Sequence, residues 1–358
     1  MAVLRPTRSV LLDAAVLIAI VGVVAGLVVL QVTAGGRGDD RATPSSQQSG
    51  GPVEHATLGP SPTPSTPAAA PTTTLPATPS TTAPVPPQPG SQASSLAQSA
   101  QSVAASPSIF RIATFNVLGA SHTRKGGDSF IKTPYDTRMS DAVRILANHA
   151  VDVVGFQEFE PPQAQAFQRQ MGAGWGMFPR PGSDQADGRQ TIAWRESAME
   201  LLSARTVTYP YFGGQTIHTP AVQLRMRATE DTFWVISVHN PATNCAVCGG
   251  NNDRYRSAAV QREVEAIRAL SADGTPVFLV GDMNSKRTFF CEMAAALPVV
   301  FAAGGSYGAG GCRPPQPTPI DWILATAGVS FSGYLSDDGP LVDAATDHPV
   351  NSVTAMLP

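Results

Sequence analysis

Asp282 and Asn284 stand two apart in "VFLVGDMNSK", residues 277–286, just after a run of four apolar residues. A turn would explain them, because Gly, Asp and Asn favour turns. A binding site would explain them equally, because open α/β sheets bind ligands outside the carboxyl ends of their strands. Four further residues of the same kind follow strand-like or precede apolar stretches: Asn116, Glu158, His239 and His348. Together they are what hydrolysis of a phosphate ester requires. A hard cation prefers carboxylate and amide oxygens. An attacking water must be oriented and the charge on the phosphoryl oxygens stabilised. A group that moves a proton near neutral pH is most often His. Neither a Walker phosphate loop nor a G-x-G-x-x-G dinucleotide motif occurs in the chain.

The elements that would position these groups can be read along the chain. Ile109 to Val117 is β-rich and runs through Asn116. Arg138 to His149 places Met139, Ala142, Val143 and Leu146 at helical spacing, which predicts an amphipathic helix. Val151 to Phe156 reads as a strand running into Gln157 and Glu158, and Thr191 to Trp194 as a short strand. Phe233 to Val238 reads as a strand ending at His239, Ala258 to Leu270 as a second amphipathic helix, and Val277 to Val280 as the strand before Asp282. Ile320 to Leu324 reads as a strand with Asp321 near its start, and Ser352 to Met356 as a last strand after Thr346-Asp347-His348-Pro349. His55, His122, His149 and His218 have no motif around them and are read as structural; Arg124 and Lys125 in "HTRKGGD" are read as a solvated loop.

The 358 residues do not read as one fold. Residues 1–9 contain Arg5 and Arg8, and residues 10–32 contain an uncharged run from Ala14 to Leu30. That run matches the length the hydrocarbon core of a bilayer requires, and the arginines favour a cytoplasmic N-terminus. The expectation is a transmembrane anchor, with a cleaved signal peptide as the rival; either exports the rest of the chain. Residues 33–107 are rich in Pro, Ser, Thr, Ala and Gln, with Glu54 the sole formal charge between Arg41 and Arg111. Such a segment has too little apolar bulk to fold and reads as a disordered, extended stalk. Residues 108–358 remain for one globular α/β domain. The net charge is -3, so there is no basic footprint for nucleic acid. Four cysteines, Cys245, Cys248, Cys291 and Cys312, fall in this part. In an exported chain they suggest two disulfides, and of the three pairings 245–248 with 291–312 is expected; Cys245-Ala-Val-Cys248 could instead be half of a zinc site.

"RIATFNVLG", "DVVGFQEFE", "SVHNP", "VFLVGDMNS", "PIDWILA" and "ATDHPV" resemble, in order, the motif blocks of the endonuclease/exonuclease/phosphatase superfamily, across residues 111–350. The resemblance implies a deoxyribonuclease I-like fold, a four-layer α/β sandwich of two packed mixed sheets with helices outside. It implies Glu158 as the principal metal ligand, with Asn116 beside it on metal or phosphate, and Asp347 on a second metal or supporting the site. It implies that Asp282 orients or deprotonates the water, that Asn284 holds the phosphate, and that His239 and His348 contact the scissile phosphate. Asp321 would orient an imidazole, that of His348. The implied cofactor is Mg²⁺, with Mn²⁺ or Ca²⁺ as alternatives. The implied substrate is a phosphate ester: nucleic acid first, a lipid or small phosphoester second, with a non-catalytic binding module on the same fold as a third reading. The resemblance also fits the 291–312 pairing. The family's further acid or Tyr partnering the first His has no secure counterpart; Arg189 and Glu196, on either side of "QTIAW", are candidates.

Overall fold

The computed structural model describes residues 107–182, 189–245 and 250–358. The expected anchor and stalk, and Cys248 of the expected Cys245–Cys248 pair, lie outside the described residues. Among the described residues no helix is long and apolar enough to cross a membrane.

Sixteen strands are present among the described residues: β1 Ile109–Asn116, β2 Val153–Gln157, β3 Trp175–Phe178, β4 Thr191–Arg195, β5 Met199–Pro210, β6 Thr216–Met226, β7 Thr232–His239, β8 Asn244–Cys245, β9 Gly250–Asn251, β10 Val277–Asp282, β11 Val299–Phe301, β12 Ser306–Gly308, β13 Gly311–Arg313, β14 Asp321–Thr326, β15 Ser330–Asp337 and β16 Val350–Met356. Twelve of them form two six-stranded mixed sheets, ordered β15-β16-β1-β2-β4-β3 and β11-β14-β10-β7-β6-β5. At the centre of each sheet is a parallel pair, β1 with β2 and β7 with β10, flanked by an antiparallel strand, β16 or β14.

The apolar runs are buried on both faces, as strands inside a layered α/β domain must be. Successive side chains of a strand point to opposite faces. Phe278 and Val280 of β10 therefore pack between the sheets with Phe110, Ile112 and Val153, while Val277 and Leu279 face the helices Asp253–Leu270 and Arg287–Ala296. Phe110 stacks on Phe233 at 4.4 Å and meets Phe278 edge-on at 5.4 Å. The other sheet is covered on its outer face by the helices Tyr135–Asn148, Pro161–Met171 and Pro340–Ala345. The result is the expected α/β sandwich of two packed mixed sheets with helices outside. Close approach of the sheets requires Gly155, since a Cβ there would lie 2.3 Å from Val280 Cγ2. The expected Cys291–Cys312 disulfide is present and ties the helix Arg287–Ala296 to β13.

Candidate active site

The polar strand ends meet at one end of the two sheets. Asn116 closes β1, Glu158 follows β2, His239 closes β7, Asp282 closes β10 and Asp321 opens the antiparallel β14. Strand register alone places three of them side by side: Asp282 pairs with His239 on one flank and with Asp321 on the other. Gly281 is needed just before Asp282, because a Cβ there would lie 2.1 Å from the Val238 carbonyl oxygen. Asp282, Asp321 and Asn116 are each 1% exposed, so every polar atom among them needs a partner.

Asp282 is the hub. Its Oδ2 lies 3.5 Å from His239 Nε2 and 3.8 Å from His348 Nε2, and accepts from Asn116 Nδ2 at 3.2 Å. Its Oδ1 accepts the Asn284 backbone N–H at 2.8 Å. Asn284 adopts a left-handed backbone, φ 45°, and its side-chain amide donates to the Asn240 carbonyl at 2.9 Å. Asn116 Nδ2 also donates to Glu158 Oε1 at 3.1 Å, so one amide bridges the two carboxylates. The Leu118 N–H donates to Asn116 Oδ1 at 3.1 Å, which fixes the orientation of that amide: it presents N–H, not oxygen, to the cluster.

Glu158 and Leu118 both have positive φ, 55° and 52°. Such conformations are strained for these residue types and cluster at functional sites. Glu158 Oε2 accepts the Gly119 N–H at 2.9 Å. Burial would raise the Glu158 carboxyl, but His239, the Gly119 N–H and Asn116 together draw it down to about 2. His348 Nδ1 faces Asp321 Oδ2 at 3.0 Å, which leaves Nε2 toward Asp282. Burial opposes charge on this imidazole, yet the Asp321 and Asp282 carboxylates raise it well above its ordinary value. Asp282, Asp321 and His348 present ligand-type atoms all within 4.8 Å of one another. Asp347 sits in the turn before His348 and acts electrostatically on His348 and Arg138.

The donor set suits a hard divalent cation on the Glu158 side, where a nearly buried carboxylate stays ionised beside Asp282. Asp321–His348 reads instead as a carboxylate–imidazolium pair.

Several residues here lie outside the motif blocks read from the sequence. Tyr209 is buried behind His239: its hydroxyl donates to the His239 carbonyl at 2.8 Å and accepts the His239 N–H at 3.1 Å. The Tyr211 ring meets the His239 ring edge-on at 6.1 Å, and burial, then the Glu158 and Asp282 charges, keep its hydroxyl protonated. Tyr211 thus occupies the position beside the first His for which Arg189 and Glu196 were candidates. Arg189 pairs with Glu160 at 2.8 Å, and Glu196 accepts from Trp194 Nε1 at 3.2 Å and approaches Arg227. The "YPYF" stretch was the available signal, with two tyrosines two apart pointing to one face of a strand end. His122, read as structural, also reaches the cluster: its Nε2 is 3.5 Å from Glu158 Oε2. Arg124 and Lys125 are exposed, in keeping with a solvated loop.

The model of the Endonuclease/Exonuclease/phosphatase family matches residues 113–348. No curated protein matches the sequence. Among solved structures, an endonuclease/exonuclease/phosphatase family protein from Bacteroides thetaiotaomicron is 13% identical, covering 71% of this chain and 99% of its own, with a TM-score of 0.55. The mannosyl-6-phosphatase Bt3783 of the same organism is 14% identical, with coverages of 69% and 99% and a TM-score of 0.52. TDP2 of D. rerio, complexed with a single-strand DNA product, is 16% identical, with coverages of 69% and 99% and a TM-score of 0.50. At these identities the likeness is one of fold.

Proposed function

This chain belongs to the endonuclease/exonuclease/phosphatase family, and we propose that it is a divalent-metal-dependent phosphoesterase that cleaves phosphodiester bonds, as a nuclease or another phosphodiesterase. The observation that carries the reading is the placement of the Asp282 carboxylate within 4 Å of two imidazoles and one amide away from Glu158.

Glu158 would hold the cation, Mg²⁺ by the hardness of its oxygens, with Asp347 as a candidate support. A bound cation of this kind polarises a phosphoryl oxygen and favours ionised water. Asp282, set between the imidazoles, orients the attacking water and takes its proton. His348 presents the Nε2–H of a cationic ring, with Asp321 fixing Nδ1, and so donates to the phosphoryl oxygens where negative charge develops. His239, backed by Tyr209 and Tyr211, contacts the same phosphate from the other flank. Asn284, in its tight turn after Asp282, lies where its amide can turn from the Asn240 carbonyl to a phosphate oxygen. The proposal includes residues 108–358 as the catalytic domain, held outside the cytoplasm by residues 10–32 and spaced by residues 33–107. It is supported by the uncharged run from Ala14 to Leu30 and the low-complexity composition after it.

The first test is nicking of supercoiled plasmid by the purified, oxidised full-length chain with Mg²⁺, repeated with EDTA and with His348→Ala. Chelator-sensitive nicking that disappears in the variant is expected. The net charge of -3 favours a second reading, hydrolysis of a phosphomonoester or phospholipid, because it gives no polyanion footprint. Release of phosphate or phosphocholine without nicking would select it. Inertness toward all three substrate classes would sink the catalytic reading.

A further inference from the structure

His122 stands on the short helix Ala120–Thr123, in the loop that follows β1. Two contacts define its ring. Nδ1 lies 2.6 Å from Asp128 Oδ1, six residues on, and Nε2 lies 3.5 Å from Glu158 Oε2. An ionised carboxylate only accepts hydrogen bonds, so the Asp128 contact puts the ring hydrogen on Nδ1. In the neutral ring Nε2 is then a lone pair, aimed at a carboxylate oxygen that carries lone pairs of its own. The gap of 3.5 Å is longer than an N–H···O hydrogen bond. Two donor atoms each about 2.1 Å from one cation lie about 3 to 3.4 Å apart, close to this separation. The remaining environment holds the loop in place rather than competing for Nε2. Glu158 Oε2 also takes the Gly119 N–H, and the Ser121 N–H and hydroxyl are both held by Glu160. A carboxylate that holds the far nitrogen of an imidazole is also the usual arrangement behind a metal-bound His.

We propose that His122 is a nitrogen ligand to the divalent cation held by Glu158, with Asp128 as the carboxylate that orients it. The inference rests on the phosphoesterase reading in one respect, that a cation binds at Glu158. It goes beyond that reading by making the donor set mixed, oxygen and imidazole, which favours Mn²⁺ and later first-row ions over Mg²⁺.

The experiment uses Mn²⁺ with the full-length chain. Binding is measured by calorimetry, and pulsed electron paramagnetic resonance reads ¹⁴N coupling from a coordinated imidazole. The wild-type complex should show ¹⁴N coupling that survives in His348→Ala and vanishes in His122→Gln, with Mn²⁺ affinity lower by about 10- to 100-fold. Asp128→Asn should keep the coupling and weaken Mn²⁺ by about 10-fold. Mn²⁺ bound through Glu158, lost in Glu158→Gln but without ¹⁴N coupling, would overturn the His122 assignment alone and leave the pair as a protonated imidazole on a carboxylate. Coupling that persists in His122→Gln would also overturn it. No Mn²⁺ or Mg²⁺ binding in the wild type would overturn both this assignment and the metal-dependent reading it rests on.

Discussion

The two sheets supply the site by different means. The sheet containing β7, β10 and β14 contributes His239, Asp282 and Asp321 from positions inside the hydrogen-bonded ladder, so backbone pairing sets their spacing. The sheet containing β1, β2 and β16 contributes Asn116 from its ladder, but Glu158 and His348 lie just beyond theirs. These outlying groups are held by side chains. Arg138, 1% exposed, donates to the Val117 carbonyl at 2.6 Å and to the Ala345 carbonyl at 3.0 Å. Gln163 donates to the Val117 and Leu118 carbonyls and accepts the Ala120 N–H. The Thr346 hydroxyl donates to the Asn116 carbonyl at 2.7 Å. One half of the site is therefore built by strands, and the other by a polar clamp that a single substitution can release.

The most damaging way to break the strand-built half is Asp282→Ala. Its carboxylate faces both imidazoles, and the Asn116 amide donates to it. Hydrolysis should fall by about 10²–10⁴-fold or more, with the circular dichroism spectrum unchanged, because β10 keeps its partners. Rates within tenfold of wild type would show that the hub lies elsewhere.

The clamp-built half is broken by Arg138→Met. Methionine fills the space but leaves the Ala345 carbonyl buried without its Arg138 donor and the Val117 carbonyl with the Gln163 amide alone. The expected loss is about 3–5 kcal/mol in urea unfolding, together with weaker cation binding at Glu158. A variant as stable as wild type, with unaltered cation affinity, would show that the clamp holds nothing the strands do not.

The same division decides what was legible in the sequence. The strand-built half could be read directly, since each apolar run and its terminal Asp, His or Asn are contiguous; β10 simply extends through Asp282 rather than stopping at Val280. The clamp could not. Arg138 looks like the first residue of an amphipathic helix, but the helix begins at Tyr135, which turns the Arg138 side chain inward beneath the β1 loop. His122 has no motif around it and acquires its neighbours only through the positive-φ turns at Leu118 and Glu158. Tyr209 lies at the end of β5 and Tyr211 just past it, and the long hairpin of β5 with β6 over residues 199–226 lacks the apolar block that marked the central strands. Contacts between segments far apart in sequence, made by side chains of ambiguous polarity, leave no local period to detect.

Away from both halves, the Cys291–Cys312 bridge closes a loop with a sequence separation of 21. A loop of this length constrains the unfolded chain by about 3 kcal/mol in the chain-entropy account. Cys291→Ala with Cys312→Ser should lower stability by about that amount, and hydrolysis measured well below the melting temperature should be unaffected. A parallel loss of activity would show that the bridge also shapes the site.

The smallest expected effect probes whether the strand-built half is as insensitive to its surroundings as its ladder suggests. Glu263, on the helix Asp253–Leu270, is 1% exposed, and burial pushes its carboxyl up to about 8 against a partial lowering by the Asn240 side chain. Asn240 follows His239 directly, and its carbonyl accepts the Asn284 amide, so this acid lies behind the turn that carries Asp282 and Asn284. A carboxyl whose value is higher in the folded chain than in the unfolded one holds its proton more tightly in the fold. Between an unfolded value of about 4.5 and about 8 the native state binds more protons, and stability falls as pH rises. From pH of about 6 to about 8 the loss should be about 2 kcal/mol. Glu263→Gln keeps the shape and an amide donor while removing the titration, so its unfolding free energy should be flatter over that range. If the wild-type and Glu263→Gln slopes coincide, Glu263 is ionised in the fold with Asn240 donating to it, and the strand-built half carries a buried charge.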